Sequence, residues 1–380
     1  MSSVYLDNAA TTKMFPEVVE LMCKSMEENY GNPSSTHQFG RKAKSAIETA
    51  RKKIATYFNC TASEIIFTSS GTEADNLILC NAVTHLNVQR IITSTIEHHA
   101  VLHTVNHLKQ LYPVEIQCVE VNSFGEVDLA HLEKLLSDTS LKTLVSLMHV
   151  NNEIGNILPI NKVCELCKEH NVLFHSDTVQ SIGHYKIDLQ KTPIDFITAS
   201  AHKFHGPKGV GFAYCKSAIG IAPIIYGGNQ EKGIRSGTEN VQAILGMEKA
   251  LSILYANINE DTQNLLALKK YFITELLKLS KEIEFNGLSS NLEKSSCAIL
   301  NVRFPITNNM LLFSLDLAGI AVSGGSACQS GSNKGSHVLK AMLPANEAKK
   351  TSVRFSFSKF TTIAQIDYCV EKLKTVLKTN

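Results

Sequence analysis

Five short apolar runs in this 380-residue chain each end on residues able to do chemistry. EIIFTSS (64–70) is followed by Gly71-Thr72-Glu73, and RIITST (90–95) leads to His98. KTLVSLMHV (142–150) leads to Asn152, VLFHSD (172–177) closes on Asp177 with Gln180 just beyond, and DFITAS (195–200) runs into Ser200, His202 and Lys203. Each group has an ordinary reading: a Gly/Thr helix start usually caps, an acid at a strand end usually makes a turn, and a lysine is usually solvated. Taken as a set they supply an anion nest at a helix start, a carboxylate and an amine, all following strands. A further thiol, Cys328, stands in SGGSACQSGS (323–332), where Gly and Ser cannot bury it and reactivity is the alternative to packing.

A phosphate nest, a carboxylate for a ring nitrogen and a lysine for an imine are the recurrent parts of a pyridoxal 5′-phosphate site. The carboxylate of Asp177 would keep the ring nitrogen protonated, and Lys203 would carry the cofactor and move the substrate's Cα proton. Asn152 is placed to bond the ring's phenolic oxygen and His98 to stack on its face, although spacing alone leaves the histidine open to a structural role.

The elements that must hold these groups can be read from periodicity. Seven candidate strands, the five runs above with VEIQCVEV (114–121) and GVGFAYC (209–215), alternate with amphipathic pieces such as EADNLILCNAVTHL (73–86) and INKVCELCKEH (160–170). That order predicts an α/β fold with helices layered on one mainly parallel seven-stranded sheet, whose ligands sit beyond the carboxyl ends of the strands. After GMEKALSILYAN (246–257) the order changes to helix, CAILNVRF, the Ser/Gly loop, VRFSFSKF and a last helix. We therefore expect a large domain over 15–258 and a smaller α+β domain over 259–380, with residues 1–14 lying across one of the two.

Composition narrows the class. The formal charge of +2 gives no reason to expect nucleic acid or an anionic membrane as partner, and no apolar stretch reaches membrane-spanning length. The amino terminus MSSVYLDNAATT lacks the regions of a signal peptide, so a cytoplasmic location is expected, with the ten Cys reduced.

LDNAATT (6–12), GNPSSTH (31–37), TSSGTEADN (68–76), EHHAVL (97–102), HVNNEIG (149–155), HSDTVQS (175–181), SAHKFHGPKG (200–209), RSGTEN (235–240), SGGSACQS (323–330) and RFSFSKFTT (354–362) together resemble, in order, the motifs of the cysteine desulfurases. The resemblance spans nearly the whole chain and is nearest to the group I members. It implies a fold type I pyridoxal-phosphate transferase, a homodimer with shared sites, that converts L-cysteine to L-alanine and supplies sulfur for iron–sulfur cluster assembly or tRNA thiolation. It implies Lys203 as the cofactor lysine, Asp177 as the ring-nitrogen partner, His98 as the stacking acid–base residue, and Asn152 and Gln180 as ring-substituent contacts. Gly71, Thr72, Ser200 and His202 then match the phosphate ligands, with Thr238 of RSGT completing that cradle from the other subunit. Arg354 matches the clamp on the substrate carboxylate. Its strand puts Val353, Phe355 and Phe357 on one face and leaves the arginine among serines on the other; a surface arginine on an edge strand is the alternative. Cys328 matches the thiol that takes the sulfur as a persulfide, and would also transiently ligate a cluster iron on a partner such as an iron–sulfur scaffold. No resident metal is implied.

Other features carry less. Cys164 and Cys167 form a C-x-x-C inside a helix pattern with no second pair, which favours a core-facing turn over zinc. His99, His103 and His107 recur on one helix face without acidic or thiol neighbours in register. Gly324 and Gln329 depart from the serine and threonine of many relatives. Selenocysteine lyase, aminotransferase and non-catalytic docking protein stand as alternatives; the aminotransferase reading leaves Cys328 without a task.

Overall fold

The computed structural model describes residues 3–308, 310–324 and 335–378. Its chain order is β1 (Val4–Tyr5), α1 (Pro16–Glu28), α2 (Gln38–Tyr57), β2 (Ile65–Thr68), α3 (Gly71–Thr84), β3 (Arg90–Ser94), α4 (His99–Leu111), β4 (Glu115–Val119), α5 (Leu129–Leu136), β5 (Thr143–Ser146), α6 (Ile160–Glu169), β6 (Leu173–Asp177), β7 (Phe196–Ser200) and β8 (Gly211–Cys215). Then come α7 (Val241–Leu279), β9 (Glu284–Phe285), β10 (Ile299–Arg303), α8 (Leu311–Leu317), β11 (Ile320–Ala321), α9 (His337–Met342), β12 (Ser352–Ser356) and α10 (Ile363–Lys378).

All seven strands expected from the sequence join one sheet in the order β2-β8-β7-β6-β5-β3-β4. Pairing is parallel except at β8, which runs antiparallel to both neighbours. β3, β5 and β7 are buried along their whole length, as expected where helices cover both faces and the run is almost continuously apolar. Cys164 and Cys167 face the core from α6, in line with a structural C-x-x-C.

A second core surrounds the antiparallel three-stranded sheet β12-β10-β9 and includes Phe272, Phe304, Phe355 and Phe357. The sequence placed a break near residue 258. The helix instead runs on to Leu279, bending at Asn257 (φ −127°, ψ 16°), because ANINE offers no Pro or Gly to stop it. We infer that this bend marks the passage from the large lobe to the small one. None of the helices among the described residues is long and apolar enough to cross a membrane.

The amino-terminal segment bonds to groups far apart in the chain. β1 pairs in parallel with β11, while Asn8 Nδ2 donates to Ser356 O (2.8 Å) and Thr12 N to His202 O (2.8 Å). Backbone groups of an extended segment need partners when buried, and here those partners come from two sheets.

Arg51 and Glu231 form a buried bidentate pair (2.6 and 2.7 Å), and Glu231 Oε2 also accepts from Phe67 N of β2 (2.9 Å). Removing one charge strands the other in the interior. Glu231→Gln should therefore cost about 3–5 kcal/mol in urea denaturation. Burial also pushes the imidazoles of His149, His175 and His205 down to about 4. The unfolded chain then binds more protons than the folded one between about pH 4 and 6.5, so stability rises with pH across that window and is lost on acidification. Melting temperature followed from pH 7 to pH 4 should fall steeply, with His175→Gln flattening part of the slope.

Candidate active site

The carboxyl ends of β2, β3, β5, β6 and β7 open onto one cavity of about 210 Å³, closed on its far side by Arg354 of the small lobe. Gly71, Thr72, His98, Asn152, Asp177, Gln180, Ser200, His202, Lys203 and Arg354 all line it. Ten expected residues, scattered over nearly three hundred positions, thus share one wall.

At one end α3 begins. Ser70 caps it by accepting from Glu73 N (3.1 Å), which leaves the N–H groups of Gly71 and Thr72 at a positive helix end. Gly71 is required by close packing: a Cβ there would meet Val179 Cγ2 at 2.6 Å. Ser200 and His202 stand beside this helix start among the lining residues. Burial, together with Lys203 and Lys208, pushes His202 down to about 4, so it meets an anion as a neutral donor.

Midway, Lys203 Nζ donates to the carbonyls of Ala9 (2.7 Å) and Ala10 (2.9 Å), and Gln180 Nε2 also donates to Ala9 O (2.9 Å). His98 caps α4 by accepting from Ala100 N at Nδ1 (3.1 Å), which places the proton of the neutral ring on Nε2. Burial lowers its pKa, so the neutral form is favoured. Asp177 accepts from Val179 N (2.9 Å), fixing its carboxylate at the floor. Asn152 Oδ1 is buried with no hydrogen-bond partner among the described residues, an acceptor in want of a donor.

Arg354 is 1% exposed, which excludes the surface reading. Its strand alternates as expected, with Val353, Phe355 and Phe357 in the second core. The opposite face is not solvent: Ser356 is fully buried against the amino-terminal segment. Arg354 Nη1 donates to Asn152 O (2.7 Å) and Nη2 to Asp7 Oδ1 (3.0 Å), so the guanidinium is oriented from both lobes.

One expected residue falls elsewhere, and another is not among those described. Thr238 is exposed in the RSGT turn and lines a separate cavity with Arg235 and Glu231. Cys328 lies outside the described residues. The positions flanking it are tied to the site: Ser323 exchanges backbone hydrogen bonds with Arg354, and Ser336 donates to the buried Glu153, neighbour of Asn152.

Sequence reasoning missed Asp7, Asp75, Glu153, His175 and His337. Asp75 had a signal, since it stands one helical turn after Gly71 and therefore on the same face of α3. His337 rests its Nε2 on Glu97 O (2.9 Å) and its ring 4.4 Å from that of His99, which no spacing rule foretells.

A helix start with free N–H groups, a lysine amine, a floor carboxylate and an unpartnered amide oxygen fit a phosphorylated pyridine aldehyde: the start of α3 would hold its phosphate, and His98, Asn152 and Asp177 its ring. Comparison with known proteins agrees. Residues 4–369 match the aminotransferase class-V family. The chain is 40% identical to the cysteine desulfurase IscS of Dictyoglomus turgidum, over 99% of this chain and 94% of that one, and 39% identical to the putative cysteine desulfurase IscS 1 of Bacillus subtilis, over 100% and 99%. Among solved structures a NifS-like protein superimposes with TM-score 0.91 at 37% identity, covering both chains fully. One from Rickettsia africae does so with TM-score 0.89 at 35% identity, over 99% and 100%. The chain therefore belongs to the aminotransferase class-V family, within its cysteine desulfurases, and its cofactor is pyridoxal 5′-phosphate.

Proposed function

We propose that this protein converts L-cysteine to L-alanine and passes the sulfur to Cys328 as a persulfide. The observation that carries the reading is the buried guanidinium of Arg354, set across one small cavity from Lys203 and Asp177. A cavity of about 210 Å³ with those groups in its lining suits a short amino acid held by its carboxylate and worked on at its amine and Cα.

Arg354, oriented by Asp7 and Asn152, holds the substrate carboxylate in a fork of donors. Lys203 would hold the cofactor through its amine, and the same amine would move the substrate's Cα proton. Neutral His98 at the ring face accepts or returns a proton through the nitrogen not engaged with Ala100. Asp177 would keep a proton on the ring nitrogen, and Asn152 Oδ1 would accept from the ring substituent. The bound cofactor supplies an electron sink that makes the substrate's Cβ–S bond labile. Cys328 as thiolate attacks the substrate sulfur, the S–S bond forms, the Cβ–S bond breaks with its electron pair left on the carbon side, and protons return to give alanine.

The sulfur goes on to an acceptor protein, for iron–sulfur cluster assembly or tRNA thiolation. The active unit is a homodimer. Thr238 is exposed and away from the cavity of its own chain, and its loop contacts the 31–37 stretch through Gln230 and Ser34 (3.5 Å). Tyr30 and Phe39, 67% and 51% exposed, flank the 31–37 stretch, and Tyr226, 84% exposed, stands just before the other loop, so apolar surface gathers there. A reducing cytoplasm suits nine described cysteines without a disulfide.

Cys328→Ser should keep the visible absorbance of the lysine-bound cofactor yet form no alanine from cysteine with a reductant present; full turnover would refute the thiol's role. Lys203→Ala should lose that absorbance. Arg354→Lys should raise KM for cysteine by about 10–100-fold, the worth of a lost charged bidentate contact, with a smaller change in kcat. Appearance of a keto acid in place of alanine would identify an aminotransferase.

A further inference from the structure

Asp177 does not meet the cofactor end of the cavity alone. Asp75, on the face of α3 one turn after Gly71, lines the same cavity and is 1% exposed. One ligand atom each from Asp75, His98 and Asp177 lie within 4.8 Å of one another. Two carboxylates this close in a water-poor floor cannot both ionise cheaply, because each charge would be desolvated and would repel the other.

The surroundings decide which carboxyl keeps the proton. Around Asp75 stand His175 and Asp177 of β6, Thr198 of β7 and His98 at the head of α4, with Lys203 beyond His98. Asp75 Oδ1 lies 3.4 Å from His175 Nε2, and His175 Nδ1 is engaged with Ser146 Oγ (2.9 Å). Burial holds this imidazole neutral, so it offers Asp75 no compensating cation. Asp177 has the better support for an anion: a backbone N–H at 2.9 Å and a place nearer solvent, at 6% exposure. Burial, with Asp177 beside it, accordingly holds the Asp75 carboxyl well above the usual range.

We propose that Asp75 and Asp177 form a carboxyl pair that holds one negative charge between them at the cofactor's ring nitrogen, with Asp75 as the protonated, positioning member. The pair is a reserve. If Asp177 loses its acid function, the repulsion on Asp75 vanishes, its proton leaves to solvent and it becomes the anion at the floor. This rests on the reading of the cavity as the cofactor site.

The test is a double-mutant cycle on the cofactor-loaded protein, read by the pH midpoint of the lysine-bound cofactor's visible absorbance and by its dissociation constant. Folding of each variant is checked by circular dichroism; both replacements conserve shape. Asp75→Asn alone removes no charge and should leave the midpoint within about half a unit of wild type. Asp177→Asn should lower it only in part, because Asp75 ionises in its place. The double variant should lose at least about tenfold more cofactor affinity than the two single changes predict together. A drop of a full unit or more in Asp75→Asn would show that Asp75 itself carries the charge, and a double variant matching Asp177→Asn would show that it never takes it; either overturns the pair. A wild-type protein that binds no cofactor would instead overturn the site reading, and the proposal with it.

Discussion

The arrangement depends on a seven-residue stretch, LDNAATT, that is too short to fold alone and yet touches the groups of the site drawn from both sheets. Asp7 fixes Arg354, Asn8 and Ala9 bond Ser356, and the Ala9 and Ala10 carbonyls hold Lys203 and Gln180. Separate cores stabilise the two sheets. Without a shared strap, an arginine on one and a lysine on the other would keep their distance only as well as the packing between them allowed. Backbone hydrogen bonds are directional and obligatory when buried, so this strap sets a spacing that apolar contact alone leaves loose.

Charge is rationed within that frame. The cavity brings together two lysine or arginine cations, two carboxyls and several imidazoles, and burial pushes one of the carboxyls and three of the imidazoles toward neutrality. His202 and His98 are held neutral, Glu97 behind the site is pushed up to about 8, and Asp75 keeps its proton. The charged groups have fixed partners: Arg354 with Asp7 at one end, Lys203 with the Ala9 and Ala10 carbonyls midway, and Asp177 with its backbone donor at the other. A zwitterionic amino acid and an anionic cofactor thus enter a site whose neutral groups can still donate and accept without imposing a field of their own.

Cys328 lies outside the described residues, but the segment that carries it is anchored on both sides. Its flanks are held by Arg354 on one side and by Glu153 and Glu97 on the other, all of them residues of the cavity wall or their immediate neighbours.

The sequence by itself determined the elements and the chemistry of the site. Strand runs such as DFITAS and VLFHSD announce themselves because both faces are buried, and Lys203, Asp177 and Gly71 are legible because strand ends are where an α/β sheet binds ligands. What it could not convey is any relation between residues far apart in the chain that carries no periodic trace. Asp7 against Arg354, Glu153 against Ser336 and Asp75 against His175 are separated by 347, 183 and 100 positions, and each is an ordinary acid until folding sets its partner beside it. The tertiary structure alone decided which polar groups lose water together. Since desolvation governs both their charge and their cost, it also decided which of two equal carboxyls keeps its proton.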